Sequence, residues 1–291
     1  MNIEVVGVIG AGQMGTGIAQ VCATSGYKVL LQDVNAERVE LGLEAIRTSL
    51  RRQMSRGLLE PDAAEAAMAL IQPAHSVSAF SMSDLVIEAA TEKETIKLSI
   101  LKAVSPHLKP TAILASNTSS ISITHLASGA DRPERVIGLH FMNPVPAMKL
   151  VEVIRGIATG QDVFDAVTAF ARTLGKSATE SQDYPGFLVN RVLIPMINEA
   201  IYTVFEGVGG IVAIDTAMKY GANQPMGPLE LADFIGLDTV LFIMNVLHDG
   251  LGDSKYRPCP LLVNYVAAGW LGRKTGRGFY DYRGEAPVPT R

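Results

Sequence analysis

Apolar runs and polar breaks divide the chain into a half that alternates strand with helix and a half that is helical throughout. Glu4 to Gly10, EVVGVIG, is the continuous apolar run of a buried strand. An apolar helix follows through Ile18, Ala19, Val21 and Cys22, and Gly26 stops it. Tyr27–Asp33, Asp84–Glu88 and Thr111–Ser116 read as further buried strands. Between them, Glu37 to about Gly57 carries Val39, Leu43, Ile46 and Leu50 as one apolar stripe, with Asn35 placed to cap it. Pro61 opens a short alanine-rich helix, and another helix runs from about Glu94 to Val104. Val136, Ile137 and Leu139 lead into Asn143-Pro144-Val145-Pro146, and Leu150, Val151 and Val153 lead out of it. Proline cannot donate to a central ladder, so that segment is the turn of a hairpin. Asp162–Leu174 is helical and Ser177–Ser181 is a last strand.

The turn cluster Asp183-Tyr-Pro-Gly186 marks a boundary. Beyond it come helices at Phe187–Glu206, Ile214–Tyr220, Leu229–Phe234, Asp238–Leu247 and Leu261–Ala268, and then a glycine-rich tail, Lys274–Tyr280. The expectation is an α/β Rossmann-type domain over residues 1–184 and an all-α domain over 185–291.

Composition narrows the partners more than the fold. With 291 residues and a net charge of −4, the chain is long enough for two cores and has no broad basic surface for nucleic acid. Cys22 and Cys259 fall in different predicted domains without metal-ligand spacing, so neither a disulfide framework nor a metal site is expected. The first strand begins almost at once, leaving no room for a leader segment, and no uncharged apolar run reaches bilayer length. A soluble cytoplasmic protein is the expectation.

The first strand runs directly into Gly10-Ala-Gly12-Gln13-Met14-Gly15, a G-x-G-x-x-G turn between strand and helix, and the second strand ends in Asp33. In that context Gly10 permits the tight turn, Gly12 lets a pyrophosphate approach the backbone and Gly15 lets helix pack on strand. Asp33 can accept hydrogen bonds from the adenosine ribose and would repel a 2′-phosphate, which favours NAD over NADP. Asn117-Thr118-Ser119-Ser120 stands at the carboxyl end of a strand, where ligands of open α/β sheets bind. The alternative is that Ser119 or Ser120 caps the short helix that follows.

If the hairpin pairs symmetrically about Pro146, His140 and Glu152 are cross-strand neighbours. A carboxylate against an imidazole fixes the tautomer and orients the ring as a base. A surface His and Glu at a hairpin rim is the bland alternative. Ser49 and Arg56 are seven apart on one helical face whose far end is basic (Arg47, Arg51, Arg52, Arg56), a pattern that a solvated helix end also produces.

Taken together, GAGQMGTGIAQ, ASNTSS, GLHFMNPVPAMKLVEVI, PGFLVNR, QPMGPLELADFIGLD and GRKTGRGFYDY resemble, in order and spacing, the NAD-dependent L-3-hydroxyacyl-CoA dehydrogenases, in particular the short stand-alone 3-hydroxybutyryl-CoA type. The resemblance covers nearly the whole chain. It implies that His140 is the catalytic base with Glu152 as partner, that Ser119 meets the substrate oxygen near the nicotinamide, and that Asn190 helps to place the acyl-CoA carbonyl. It further implies that Glu92, Lys97 and Asn117 lie at the cofactor beside Gly10, Gly12, Gln13, Met14, Gly15 and Asp33. Ser49 and Arg56 match a Ser and a Lys on the CoA side, and Arg for Lys alters the hydrogen-bond geometry. The helical half would pair with its copy in a homodimer. Two other readings share these residues: a dehydrogenase of a non-CoA hydroxy acid, like the gulonate dehydrogenase and lens-crystallin branch, and a non-catalytic NAD-binding protein.

Overall fold

A computed structural model of the chain describes residues 2–291. It forms two compact units, one ending at Tyr184 and one spanning Pro185–Arg291. The first unit is built on an eight-stranded sheet. Its strands are β1 (Val5–Ile9), β2 (Lys28–Gln32), β3 (Ile71–Pro73), β4 (Leu85–Glu88), β5 (Ile113–Ser116), β6 (Val136–Phe141), β7 (Leu150–Arg155) and β8 (Ser177–Gln182). The spatial order is β3-β2-β1-β4-β5-β6-β7-β8. Every neighbouring pair is parallel except β6 and β7, which run antiparallel. The β4 and β6 strands are buried along their whole length because helices cover both faces of a parallel sheet. The outer strands are different in kind: β3 has three residues and ends in Pro73, and β8 reads Ser-Ala-Thr-Glu-Ser-Gln. The β3 strand is too short to leave an alternating pattern and was not expected from the sequence.

Chain order reverses between β1 and β4, and this opens a crevice at the carboxyl ends of those strands, the place where such sheets bind ligands. The helices of this unit are α1 (Gln13–Thr24), α2 (Ala36–Ser55), α3 (Pro61–Ala69), α4 (Glu94–Val104), α5 (Ile123–Ala127) and α6 (Gln161–Thr173). Asn35 caps α2 by accepting from the Arg38 N–H at 2.9 Å. The α2 stripe of Val39, Leu43, Ile46 and Leu50 joins Val6, Val8, Ile18 and Leu31 in one core.

The second unit holds α7 (Val189–Phe205), α8 (Ile211–Gly221), α9 (Pro228–Ile235), α10 (Leu237–Leu251) and α11 (Pro260–Ala267). Its own core includes Ile197, Ile201, Leu229, Leu237, Met244 and Phe279. The α7 helix starts two residues later than its apolar pattern suggests. Gly186 (φ 76°) and Phe187 (φ 49°) both take left-handed backbone angles, and the Phe187 ring is buried, so the chain turns there before the helix begins. No single helix among the described residues is long and apolar enough to cross a membrane.

Two buried aspartates pin the glycine-rich tail to this unit. Asp233 accepts from the Phe279 N–H at 2.9 Å, the Tyr280 N–H at 2.8 Å and the Tyr282 hydroxyl at 3.1 Å. Asp215 accepts from the N–H groups of Leu229 and Glu230 and from the Tyr280 hydroxyl. Burial pushes the Asp233 carboxyl up to about 6 against the hydrogen bonds that lower it. A carboxyl raised on folding contributes stability that is present below its unfolded pKa and is lost as pH rises through the folded value. Between pH 5 and 7 that loss amounts to about 1 kcal/mol. The Asp233→Asn chain is therefore expected to gain on the parent by about that amount over the same interval, as read by urea unfolding at the two pH values. A constant difference between the two proteins would refute the assignment.

Candidate active site

The glycine turn between β1 and α1 is shaped as an anion and dinucleotide cradle. Gly10 has φ 106°, a value that L side chains rarely adopt. A Cβ on Gly15 would lie 1.7 Å from the Gly10 carbonyl oxygen, so only glycine lets α1 pack this close to the strand. At Gly12 an added Cβ would meet nothing within 4 Å, which leaves room beside the backbone. Gln13 and Met14 open α1, whose first internal hydrogen bond is donated by Thr16 to Gly12. The amides of Gln13, Met14 and Gly15 thus have no carbonyl within the helix to donate to and suit a phosphate. Next to this turn lies a cavity of about 240 Å³ lined by Gly10, Asp33, Val34, Val77, Ile100 and Ala103 among others. Its lining is mostly apolar, which suits an adenine ring, and Asp33 is its one acidic residue. Asp33 also receives the Ala11 N–H at 2.6 Å, which fastens the glycine turn to the end of β2. These residues fit NAD.

The second part of the site lies at the carboxyl ends of β4 and β5. Glu92 accepts at a single oxygen from the Thr118 hydroxyl (2.6 Å), the Ser119 N–H (2.7 Å), the Ser119 hydroxyl (3.0 Å) and the Ser120 hydroxyl (3.2 Å). Its other oxygen is 3.4 Å from the Lys97 ammonium. Burial raises the Glu92 carboxyl, but the Lys97 charge and the hydrogen bonds from Thr118 and Ser119 outweigh it and hold it below the ordinary range. Neither Ser119 nor Ser120 caps the next helix. Ser122 caps α5 by accepting from the His125 N–H, and Asp183 accepts from the N–H groups of Ile123 and Thr124. Lys97 is buried, and its ammonium is engaged by Glu88 as well as Glu92, so its charge acts on Glu92 from behind the loop. Asn117 accepts from the Phe141 N–H at 2.9 Å and so fastens the end of β5 to the strand that carries His140.

The third part is the hairpin of β6 and β7. Their register sets His140 opposite Glu152, with Leu139 opposite Val153 and Phe141 opposite Val151. His140 Nδ1 lies 2.7 Å from Glu152 Oε2, with Glu152 fully buried and His140 8% exposed. A carboxylate accepts only, so the Nδ1 proton is donated to it and Nε2 becomes the basic nitrogen. Pairing with β8 on the far side of β7 keeps this acid in the sheet interior. Behind the turn, the buried Lys176 ammonium donates to the carbonyls of Val145 and Met148 at 2.6 and 2.8 Å.

The remaining candidates lie on other elements. Ser49 is half-buried on α2, and Arg56 is exposed just past its last turn, where the helix ends at Ser55. Arg47 and Arg51 are tied to Glu40 and Glu44, an exposed charge ladder along α2. Asn190 is the second residue of α7 and belongs to the other unit, half-buried. The network also holds residues that the sequence reading did not single out: Glu88, Thr118, Asp183 and Lys176. For Glu88 a signal was present, a carboxylate closing the otherwise apolar run Leu85-Val86-Ile87.

Comparison with known proteins agrees along the chain. Residues 5–184 match the NAD-binding domain of 3-hydroxyacyl-CoA dehydrogenase, and residues 186–282 match the C-terminal domain of the same enzymes. The chain is 61% identical over 289 residues to a protein of Bradyrhizobium diazoefficiens named 3-hydroxybutyryl-CoA dehydrogenase, covering 99% of each. It is 54% identical over 282 residues to a probable 3-hydroxybutyryl-CoA dehydrogenase of Bacillus subtilis, covering 97% of this chain and 98% of that one. The crystal structure of the (S)-3-hydroxybutyryl-CoA dehydrogenase of Ralstonia eutropha superposes with a TM-score of 0.95 at 47% identity, over 97% of this chain and all of that one. The chain belongs to the NAD-dependent 3-hydroxyacyl-CoA dehydrogenase family.

Proposed function

We propose that the chain interconverts L-3-hydroxybutyryl-CoA and acetoacetyl-CoA, with His140 as general base and Glu152 as its partner. The buried His140–Glu152 pair, in the same unit as the dinucleotide cradle, is the observation that carries this reading. In the oxidative direction His140 Nε2 takes the proton of the C3 hydroxyl, and the ring, now protonated at both nitrogens and carrying one positive charge, is stabilised by the Glu152 carboxylate. When bound, NAD supplies the hydride acceptor for C3. Ser119, held by Glu92, meets the reacting oxygen, and Asn190 orients the thioester carbonyl. Reduction reverses each step, and His140 then returns its proton to the oxygen. Asn117 and Lys97 keep the cofactor side in shape. Ser49 and Arg56 are assigned to the CoA side, where the exposed guanidinium suits a phosphate. The four-carbon acyl group follows from the relatives' names, and an acyl-CoA or fatty-acid pathway from the reaction class. Balanced charge and two buried free cysteines fit a cytoplasmic location.

A second copy of the chain is the proposed partner of the second unit. Val192 and Phe205 on α7, Val212 and Tyr220 on α8, Phe234 on α9 and Phe242 on α10 are all exposed. Large apolar side chains in such number suit a homodimer face. Sedimentation equilibrium is expected to show a dimer at micromolar protein, and a monomer there would remove this part of the proposal.

Absorbance at the NADH band tests the whole reading. Acetoacetyl-CoA with NADH is expected to turn over, whereas NADPH, which Asp33 repels, and free acetoacetate are not. Turnover of the free acid in preference to the thioester would move the chain to a non-CoA hydroxy-acid branch.

A further inference from the structure

Glu88 takes no part in the chemistry above, yet its carboxylate is fully buried at the end of β4 and accepts four hydrogen bonds. One oxygen receives the Ala90 N–H at 2.8 Å and the Lys97 ammonium at 3.0 Å. The other receives the same ammonium at 2.9 Å and the Ser116 hydroxyl at 2.7 Å. Lys97 then reaches Glu92, and Glu92 holds the N–H and the hydroxyl of Ser119. We propose that Glu88 is a positioning residue for the reaction, acting through Lys97 and Glu92 to hold Ser119 by its backbone N–H, so that its hydroxyl, which donates to Glu92 in the free protein, turns to the substrate oxygen. The inference rests on the role given to Ser119 above.

A buried ion pair such as Glu88–Lys97 does not hold a fold together better than apolar groups of the same volume. What a charged triad adds is direction. Lys97 on α4 is fixed by Glu88 from the strand side, so the ammonium meets Glu92 from one angle only. Glu92 is anchored in turn, and one of its oxygens accepts from four donors of the Thr118–Ser120 loop. Every neighbour of the Glu88 carboxylate is a donor. A glutamine there keeps the volume but turns an NH2 toward one of them. Lys97 then loses a partner and shifts toward Glu92, and the Ser119 hydroxyl is displaced with the loop. A hydrogen bond to the reacting oxygen counts most in the transition state, so its misplacement lowers kcat and leaves KM for the acyl-CoA nearly unchanged.

The test is a double-mutant cycle of Glu88→Gln and Ser119→Ala, with kcat and KM measured for parent, singles and double, and folding checked by circular dichroism. Glu88→Gln alone is expected to lose at least about 10-fold in kcat, with KM within about twofold. In the Ser119→Ala background the same change is expected to cost less than about twofold, because the hydroxyl it aims is gone. A loss that multiplies in full on Ser119→Ala would assign Glu88 to the fold and overturn the proposal. An unchanged kcat for Glu88→Gln would overturn it as well. Should Glu88→Gln be insoluble, Ser116→Ala removes a single donor to Glu88, and a loss of at least about threefold with the same coupling is expected. A parent enzyme that turns over no 3-hydroxyacyl-CoA would instead fail the reading beneath, and the proposal with it.

Discussion

Replacing His140 by alanine is expected to lower kcat at least about 100-fold, the lower end of what a general base contributes. The C3 hydroxyl of the substrate is a poor acid, and hydride cannot leave C3 cheaply until its proton is taken up. With the imidazole gone, no group stands at the position of Nε2 to take that proton. The residues proposed to hold the dinucleotide, Gly10, Gly12 and Asp33, follow the ends of β1 and β2, whereas His140 lies on β6. Affinity for NADH, read by its fluorescence, is therefore expected to stay within about threefold of the parent, because only the transition-state contact is lost. A His140→Ala enzyme with near-normal kcat would sink the assignment of the base.

Glu152→Gln is expected to cost a comparable amount, again at least about 100-fold in kcat, because the amide fails the imidazole in either orientation. If its oxygen faces Nδ1, the tautomer survives, but the imidazolium formed during oxidation loses its counter-charge in a buried place. If its NH2 faces Nδ1, the ring proton moves to Nε2 and the base is occupied. Volume and ladder are preserved, since residue 152 pairs with residues 140 and 179 through its backbone. The melting temperature is thus expected to change little while kcat collapses. Equal losses in both would mean that Glu152 serves the sheet and leaves His140 unaffected.

Much of this was legible in the sequence because the informative features are local. A strand that runs into three spaced glycines and a helix can be read without knowing what surrounds it. The hairpin register follows from a proline turn at a known distance from both partners, and His140 and Glu152 do lie opposite each other. Start and stop positions were less legible. The start of α7 is displaced by the left-handed Phe187, whose angle is set by burial of its ring. The serine loop was ambiguous because capping and ligand contact use the same residue types. Only the position of Glu92, far along the chain, decides that Ser119 and Ser120 face a carboxylate. Glu88, Lys97 and Ser116 meet through strand neighbours and a helix crossing, and no spacing in one dimension encodes that.

The two outer strands of the sheet bear on how the chain behaves in a crowded solution. An open strand edge is a template for other chains, and β7, Leu-Val-Glu-Val-Ile-Arg, would be an adhesive one. The polar β8 covers it, and on the opposite side the short β3 closes with a proline. The strand that carries Glu152 is thereby kept from joining a foreign sheet. A nascent chain released before residue 177 has no such cover. Its colloidal stability depends on finishing synthesis of a strand that contributes nothing to the chemistry.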